Sequence, residues 1–215
     1  MVTAERQTPS ASDRADESIH HFVEVSLRFP SEWKLTWKLL NELSDLNEGL
    51  QFERTVEGAL LIVTGTAPIE ADWIENQLRA AIGPWMQAGG GGLLRGGAGG
   101  YTLPDTSLRI PDLSWIPDEM MPARGDTAAW RAEPVLVPPF AVEIRSPGQG
   151  LASQQRKMEQ YIANGVRLGW LFDPIHRQVH VYRPEHEPEI LDNSEFLSGE
   201  DVMEDLVVDL SDIWP

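Results

Sequence analysis

Alternating apolar and polar residues in the first third of the chain predict three strands. Over residues 21–29, HFVEVSLRF, every second residue is apolar, which is typical of a strand with one buried face, and Pro30 ends the pattern. Two further segments, LQFERTV and GALLIVTG, meet around Glu57 and Gly58, and this arrangement predicts a β-hairpin.

Two segments carry apolar residues at intervals of three and four, which is the spacing of a helix with one buried stripe. The first stripe consists of Trp33, Trp37, Leu40 and Leu43. Ser31 is placed to cap this helix. The second stripe, within residues 68–87, consists of Ile74, Leu78, Ala81, Ile82 and Trp85. Pro84 is expected to bend or end the second helix.

The second half of the chain alternates strand and helix patterns, which indicates an α/β layer structure. Apolar segments around Leu113 and over residues 140–144 predict two strands. A helix pattern over residues 151–165 ends at Gly165, a residue suited to the left-handed conformation that stops helices. VRLGWLF then predicts a buried strand, and QVHVYRP predicts its hairpin partner after a turn at residues 173–176.

The chain of 215 residues is long enough for one domain with a packed core. Residues 1–18 are mostly polar and lack the apolar core of a secretory signal, so we predict a disordered tail there and a single domain over residues 19–215. The longest apolar run, GALLIV, is far shorter than the roughly 20 residues that span a membrane. No cysteine is present, which suits a reducing compartment, and we expect a cytoplasmic location.

The formal net charge of −17 disfavours nucleic-acid binding, because contacts to phosphate depend on Lys and Arg. The charge is uneven: residues 184–215 hold 11 acids and no Lys or Arg, whereas residues 109–183 hold 9 basic and 8 acidic residues. A phosphate-binding site is therefore compatible with the middle of the chain. In the acidic C-terminal segment we expect outward carboxylates to aid solubility, while apolar residues, among them Ile190 and Phe196, dock on the core.

The glycine-rich segment GGGGLLRGGAGG at residues 89–100 contains neither GxGxxG nor GxxxxGK followed by Ser or Thr. These are the patterns that cradle nucleotide phosphates, so no nucleotide cofactor is predicted. So much glycine is typical of a flexible chain, and we predict a mobile surface loop.

Three ionisable residues lie in apolar surroundings. Asp112 begins an apolar strand, Glu143 lies within FAVEI, and Lys157 lies in the middle of the following helix. A buried carboxylate is costly unless a cation, a metal or hydrogen bonds compensate its charge. Two carboxylates at adjacent strand ends can hold Mg²⁺, and a lysine beside them can orient or deprotonate an attacking water. The pattern therefore predicts a hydrolytic metal site.

Several motifs occur in the order that characterises one nuclease family. They are Pro111-Asp112, Val142-Glu143 with Ser146-Pro147, Lys157 and Tyr161 four residues apart, Gly165-Val166, and Trp170 with Asp173-Pro174. With these motifs the chain resembles the Uma-type restriction endonucleases, of the PD-(D/E)xK nuclease superfamily, over about residues 50–215. The resemblance implies an α/β (α+β) restriction-endonuclease-like fold, in which helices flank a central mixed β-sheet. The nuclease core is expected at about residues 50–183, followed by the acidic segment at 184–215.

The resemblance also implies an activity and a site. The expected activity is Mg²⁺-dependent hydrolysis of DNA, and a homodimer is expected by analogy. Glu53, in FERTVEGALLIV, corresponds to a further family acid. The expected catalytic residues are therefore Glu53, Asp112, Glu143 and Lys157, and the three acids are expected to ligate Mg²⁺ (or Mn²⁺).

Three neighbouring residues are weaker candidates for substrate binding. Arg145 lies two residues after Glu143, but Lys157 is preferred as the catalytic residue because arginine stays protonated and cannot act as a base. Arg145 is left with two roles, a structural ion pair with an acid or a contribution to catalysis. Gln154 and Tyr161 share a helical face with Lys157 and could orient phosphate or water, while simple core packing also explains Tyr161.

A second hypothesis comes from a different class of function. The chain could be a catalytically inactive protein that keeps the nuclease fold and binds another protein. Binding of Mg²⁺ or Mn²⁺ that depends on Asp112 and Glu143 distinguishes the two hypotheses.

Overall fold

The structure is a computed structural model, and it describes residues 3–6, 23–30, 32–64, 69–97, 100–133 and 135–215. In chain order the elements are β1 (Thr3–Arg6), β2 (Val23–Arg28), α1 (Trp37–Leu46), β3 (Leu50–Arg54), β4 (Leu60–Thr64), α2 (Ile69–Trp85), β5 (Leu93–Gly96), β6 (Tyr101–Thr102), β7 (Leu108–Arg109), β8 (Leu113–Ile116), α3 (Thr127–Arg131), β9 (Phe140–Ile144), α4 (Leu151–Ala163), β10 (Leu168–Asp173), β11 (Gln178–Tyr182), β12 (Glu189–Asp192), β13 (Phe196–Ser198) and β14 (Val207–Asp209). None of the helices in these ranges has the length and apolarity needed to cross a membrane.

The described strands form three sheets, of which the first has the strand order β1-β2-β4-β3-β7-β6 and is antiparallel throughout. It contains the strand predicted over residues 21–29 as β2 and the predicted hairpin as β3 and β4. Residues 3–6 pair with β2, whereas the sequence predicts a disordered tail over residues 1–18. The other residues of that segment lie outside the described ranges.

Helix α1 packs on the first sheet and begins later than the sequence predicts. It starts at Trp37, and the hydroxyl of Thr36 caps it by accepting a hydrogen bond from a first-turn N–H at 3.2 Å. The predicted cap, Ser31, lies outside the described residues. Trp33 precedes the helix, so it is 62% exposed and stacks on Phe29 instead of joining the buried stripe.

The second sheet has the strand order β12-β11-β10-β9-β8-β5 and is mixed. Strands β9 and β10 run parallel because the α4 crossover joins them, and the other neighbours are antiparallel. Every residue of β9 and β10 is buried, since α2 and the C-terminal segment cover one face and α4 covers the other. This mixed sheet with helices agrees with the predicted mixed α/β architecture, whereas the six-stranded antiparallel first sheet was not part of the predicted central sheet. Gly165 ends α4 with a φ of 107°.

The third sheet, β13 and β14, belongs to the C-terminal segment, which docks on the core as predicted. Leu197, Met203 and Val208 are at most 2% exposed and join the cluster that covers one face of the second sheet. The predicted anchors Ile190 and Phe196 are not buried: Ile190 is 54% exposed and Phe196 is 55% exposed. Alternation along a strand turns these two side chains outward, which the apolar composition of the segment did not reveal.

The glycine-rich segment contains a strand, and the prediction of a mobile surface loop is wrong for β5. Helix α2 ends one residue after Pro84, and a π-helical turn at Met86–Gly90 leads into β5, which pairs with β8 at the sheet edge. Glycine is needed here for close packing. A Cβ on Gly92, whose φ is 84°, would lie 2.4 Å from Nε1 of Trp115.

Candidate active site

A cleft of about 1370 Å³ opens between the first sheet with α1 and the α4 side of the second sheet. Its lining includes all four residues that the sequence predicts as catalytic, Glu53, Asp112, Glu143 and Lys157. These residues come from β3, the bend before β8, β9 and α4. The fold therefore assembles one polar site from segments that are distant in sequence.

Two neighbouring strands place Asp112 beside Glu143. Leu113 pairs with Val142 in the antiparallel ladder of β8 and β9. Continuing that antiparallel register by one residue sets Asp112 opposite Glu143. The Oδ2 atom of Asp112 accepts a 2.7 Å hydrogen bond from the N–H of Ile144, which holds this carboxylate at the strand end.

The ammonium group of Lys157 lies between two carboxylates. Its Nζ atom is 2.9 Å from Oε1 of Glu143 and 3.0 Å from Oε1 of Glu53, and it donates to the carbonyl of Ile110 at 3.0 Å. The lysine side chain is 18% exposed, whereas each glutamate side chain is 3% exposed. The prediction that a buried Glu143 requires a partner is confirmed, and Lys157 is that partner.

Two residues that the sequence argument missed, Arg109 and Gln160, complete this polar cluster. The Nη1 atom of Arg109 donates to Oε2 of Glu53 at 2.9 Å, and its Nε atom donates to Oε1 of Gln160 at 2.8 Å. Arg54 pairs with Leu108 across β3 and β7, so the antiparallel register sets Glu53 opposite Arg109. A strand of two residues leaves no periodic pattern, and the only sequence signal was an arginine shortly before the Pro-Asp motif.

The two predicted polar neighbours of Lys157 on α4, Gln154 and Tyr161, are both buried. Tyr161 is fully buried, and its hydroxyl donates to Oε1 of Glu143 at 2.9 Å. It therefore packs in the core and also orients the carboxylate. Gln154 is 4% exposed and belongs to the cleft lining.

Arg145 belongs to a second ion pair. Its Nη1 atom lies 3.2 Å from both carboxylate oxygens of Asp173, and Nδ1 of His176 lies 2.7 Å from Oδ2 of the same aspartate. Asp173 is fully buried at the end of β10, so it is a counter-ion and not only part of the predicted turn. Of the two roles left open for Arg145, these contacts support the structural ion pair.

Crowded carboxylates determine the electrostatics of the cleft. Burial and neighbouring carboxylates raise the pKa of Asp112 to about 6 and that of Glu143 to about 8, against the opposing effect of Lys157. Burial alone would lower the pKa of Lys157, but the surrounding acids, Glu143 first, raise it above its usual value. Burial would raise the pKa of Glu53, but Lys157 and Arg109 lower it below its usual value. Three acids thus surround two cations.

The oxygen atoms of the cleft fit a hard divalent cation. Mg²⁺ prefers carboxylate oxygens and is commonly held by one or two carboxylates, with water and substrate phosphate completing the octahedron. Asp112 and Glu143 supply such a pair in a region that favours added positive charge. Within the described ranges, no group of three or more His, Cys, Asp or Glu side chains has the geometry of a metal cage. Asp112 and Glu143 are the neighbouring carboxylates of the cleft that would hold such an ion.

The sequence matches one protein-family model, and a solved structure shares the fold. Residues 37–211 match the Uma2 family, described as "Putative restriction endonuclease", so the chain belongs to this family and the resemblance is confirmed. Four chains of solved structures match, among them a "putative nuclease belonging to DUF820" from Anabaena variabilis. That match has a TM-score of 0.67 and 21% identity, and it covers 81% of this chain and 96% of that chain. No curated protein matches.

Proposed function

We propose that this protein is a Mg²⁺-dependent DNA endonuclease of the PD-(D/E)xK type with a restriction-endonuclease-like fold. The observation that carries the proposal is the meeting of Asp112, Glu143 and Lys157 in one cleft. Family membership supports the substrate class, because the Uma2 family is described as "Putative restriction endonuclease".

Five residues in or beside the cleft have a role in this proposal. Asp112 and Glu143 would hold Mg²⁺ or Mn²⁺. The ion, when bound, would supply a Lewis acid that draws electron density from the phosphodiester. Lys157 presents its charged Nζ beside the carboxylates, where it orients the attacking water and offsets the negative charge that develops on the phosphate oxygens. Tyr161 keeps Glu143 oriented, and Gln154 is a polar contact to the substrate.

The charge of the cleft predicts how DNA binds. Among the residues that the structure describes, the acidic residues of the lining are Asp45, Glu53, Glu57, Asp72, Glu75, Asp105, Asp112 and Glu143, and the basic residues are Arg28, Arg109, Arg156 and Lys157. Eight acids against four bases repel a phosphate backbone, because favourable phosphate contacts require an excess of positive charge. Bound divalent cations reduce this repulsion. We therefore expect DNA binding to be weak in a chelator and to require Mg²⁺, Mn²⁺ or Ca²⁺.

A homodimer is part of the proposal by analogy, because cutting both strands of a DNA duplex at one place requires two active sites. Light scattering at micromolar concentration, with and without DNA, measures the oligomeric state. A strict monomer under both conditions contradicts the dimer.

Cleavage of supercoiled, linear and single-stranded DNA tests the activity. We expect the wild type to cut at least one of them in Mg²⁺ or Mn²⁺ but not in EDTA, and Lys157→Gln to lose this activity. Arg167→Gln is the matched control, because it removes a cation from an exposed pair with Asp201. If no substrate is cut and Asp112→Asn removes no metal binding, the inactive protein-binding hypothesis replaces the nuclease.

A further inference from the structure

Glu53 differs from the other two acids in the charges that hold it. Its Oε2 atom accepts from Nη1 of Arg109 at 2.9 Å. Its Oε1 atom accepts from the N–H of Ile110 at 2.9 Å and lies 3.0 Å from Nζ of Lys157. The residue is 2% exposed. Three donors, two of them cationic, therefore neutralise this carboxylate and fix it inside the protein.

A divalent cation on Glu53 would lie close to the guanidinium of Arg109. An arginine cannot lose its proton to relieve the repulsion, and like charges interact more strongly in a partly desolvated cleft than in water. Asp112 has no arginine on its carboxylate: its Oδ2 accepts from a backbone N–H, and besides Lys157 its charged neighbours include the carboxylates of Glu75 and Glu53. The dication is thus favoured beside Asp112 and disfavoured on Glu53.

Arg109 is held in place from α4. The Oε1 atom of Gln160 accepts a hydrogen bond from Nε of Arg109 at 2.8 Å. The Nε2 atom of Gln160 donates to Oδ2 of Asp105 at 2.8 Å and to Oγ of Ser107 at 3.0 Å. Gln160 lies three residues after Lys157, so both project from the same side of the helix. One face of α4 therefore contacts Glu53 directly through the lysine and indirectly through Arg109.

We propose that Glu53 and Arg109 are positioning residues for Lys157 and that Glu53 does not ligate the metal ion. Glu53 holds the lysine ammonium beside Glu143, and Arg109, braced by Gln160, holds Glu53. The effect on catalysis rests on the proposed nuclease function, whereas the effect on metal binding does not. The site then has two metal ligands, Asp112 and Glu143, and Glu53 supports Lys157 instead of serving as a third ligand.

Metal binding without DNA separates the two roles of Glu53. In calorimetric titrations with Mn²⁺, we expect Glu53→Gln and Arg109→Gln to bind within about threefold of the wild-type affinity. Asp112→Asn and Glu143→Gln are expected to lose more than about tenfold, as loss of a direct ligand should. A Glu53→Gln variant that loses as much affinity as Asp112→Asn overturns the proposal.

Cleavage kinetics at saturating Mn²⁺ test the effect through Lys157. We expect Glu53→Gln and Arg109→Gln to lower kcat by roughly 10- to 100-fold with KM for DNA unchanged within about threefold, because a supporting contact is lost. Arg109→Lys should recover part of the loss, since a lysine can still pair with Glu53. The double variant Glu53→Gln/Lys157→Gln should be no slower than Lys157→Gln alone. A further loss in the double variant shows that Glu53 acts independently and contradicts the proposal.

A double-mutant cycle in thermal unfolding keeps the inference testable if the wild type cleaves no DNA. If Glu53 and Lys157 interact, the change in melting temperature of the double variant Glu53→Gln/Lys157→Gln differs from the sum of the changes in the two single variants. Arg167→Gln combined with Glu53→Gln is the control and should be additive. Additive shifts for Glu53 and Lys157 overturn the positioning claim, whereas absence of cleavage overturns only the proposed function.

Discussion

Two buried ion pairs lie side by side at the end of β9, and they differ in charge balance and in access to solvent. Arg145 faces Asp173, and these side chains are 1% and 0% exposed. Glu143, two residues earlier, faces Lys157, whose side chain is 18% exposed on the cleft, and two further carboxylates crowd around it. The first pair is sealed in the core, and the second opens onto a cavity.

The difference teaches that a buried charge by itself does not mark a functional site. Each pair compensates charges that burial would otherwise make costly. The cleft pair, however, is surrounded by an excess of carboxylates, and such an excess is costly unless a ligand of the opposite sign binds there. Charge imbalance together with access therefore separates the candidate active site from the structural pair.

The largest expected difference between the two pairs is in stability. Asp173→Ala removes the carboxylate that faces the buried guanidinium of Arg145, and we expect the free energy of unfolding to fall by about 3–5 kcal/mol. Asp112→Ala removes one of several crowded acids, so a change of less than about 1 kcal/mol is expected. Chemical denaturation of both variants measures the two values. An equal loss of unfolding free energy in Asp173→Ala and Asp112→Ala would contradict the distinction between a structural pair and a candidate active-site pair.

The next largest effect is expected in catalysis. Lys157→Gln should lower DNA cleavage by about 100- to 1000-fold, because the charge facing the developing negative charge is lost. Asp173→Asn alters the sealed pair and should stay within about tenfold of the wild type once the folded fraction is taken into account. Single-turnover cleavage at saturating Mn²⁺ measures both variants. A similar loss in each would show that the sealed pair also serves the reaction.

The pH dependence of stability should come from the cleft pair. The pKa of Asp112 is raised from 3.8 to about 6 and that of Glu143 from 4.5 to about 8, so the folded state binds more protons than the unfolded state between these values. Stability is then greatest below about pH 4 as far as these groups are concerned, and it falls as the pH rises from about 4 to about 8. Denaturation at a series of pH values should show a shallower slope for Asp112→Asn than for Asp173→Asn. If the stability of the two variants changes with pH by the same slope, the pH dependence does not come from the cleft pair.

The smallest expected effect is the stabilisation of the folded protein by Mg²⁺, which should depend on the cleft pair and not on the sealed pair. Mg²⁺ at tenfold excess over its dissociation constant should stabilise the wild type by about 1.4 kcal/mol, because only the folded protein holds both ligands together. Thermal unfolding with Mg²⁺ and with EDTA should show this shift for the wild type and for Asp173→Asn but not for Asp112→Asn. A shift that survives in Asp112→Asn places the ion elsewhere.

Local patterns in the sequence predicted most of the fold. Strand alternation and helix spacing depend only on neighbouring residues, so β2, the β3–β4 hairpin, α4 and the β10–β11 hairpin follow from the order of apolar positions. The glycine-rich strand β5 did not follow, because the same glycines that suggest flexibility also permit close packing against Trp115. The start of α1 was missed because Trp33 has helical spacing although it lies before the cap.

The sequence by itself determined which residue types carry the candidate chemistry. An ionisable group inside an apolar strand is costly, so the position of Glu143 within FAVEI is enough to require a partner for it. Only the tertiary structure decided that the partner is Lys157, that Arg145 faces Asp173, and that Arg109 lies opposite Glu53. These contacts join residues that are distant in the chain, and their geometry depends on strand register and on how α4 packs on the sheet. Such long-range distances leave no trace in the spacing of neighbouring residues.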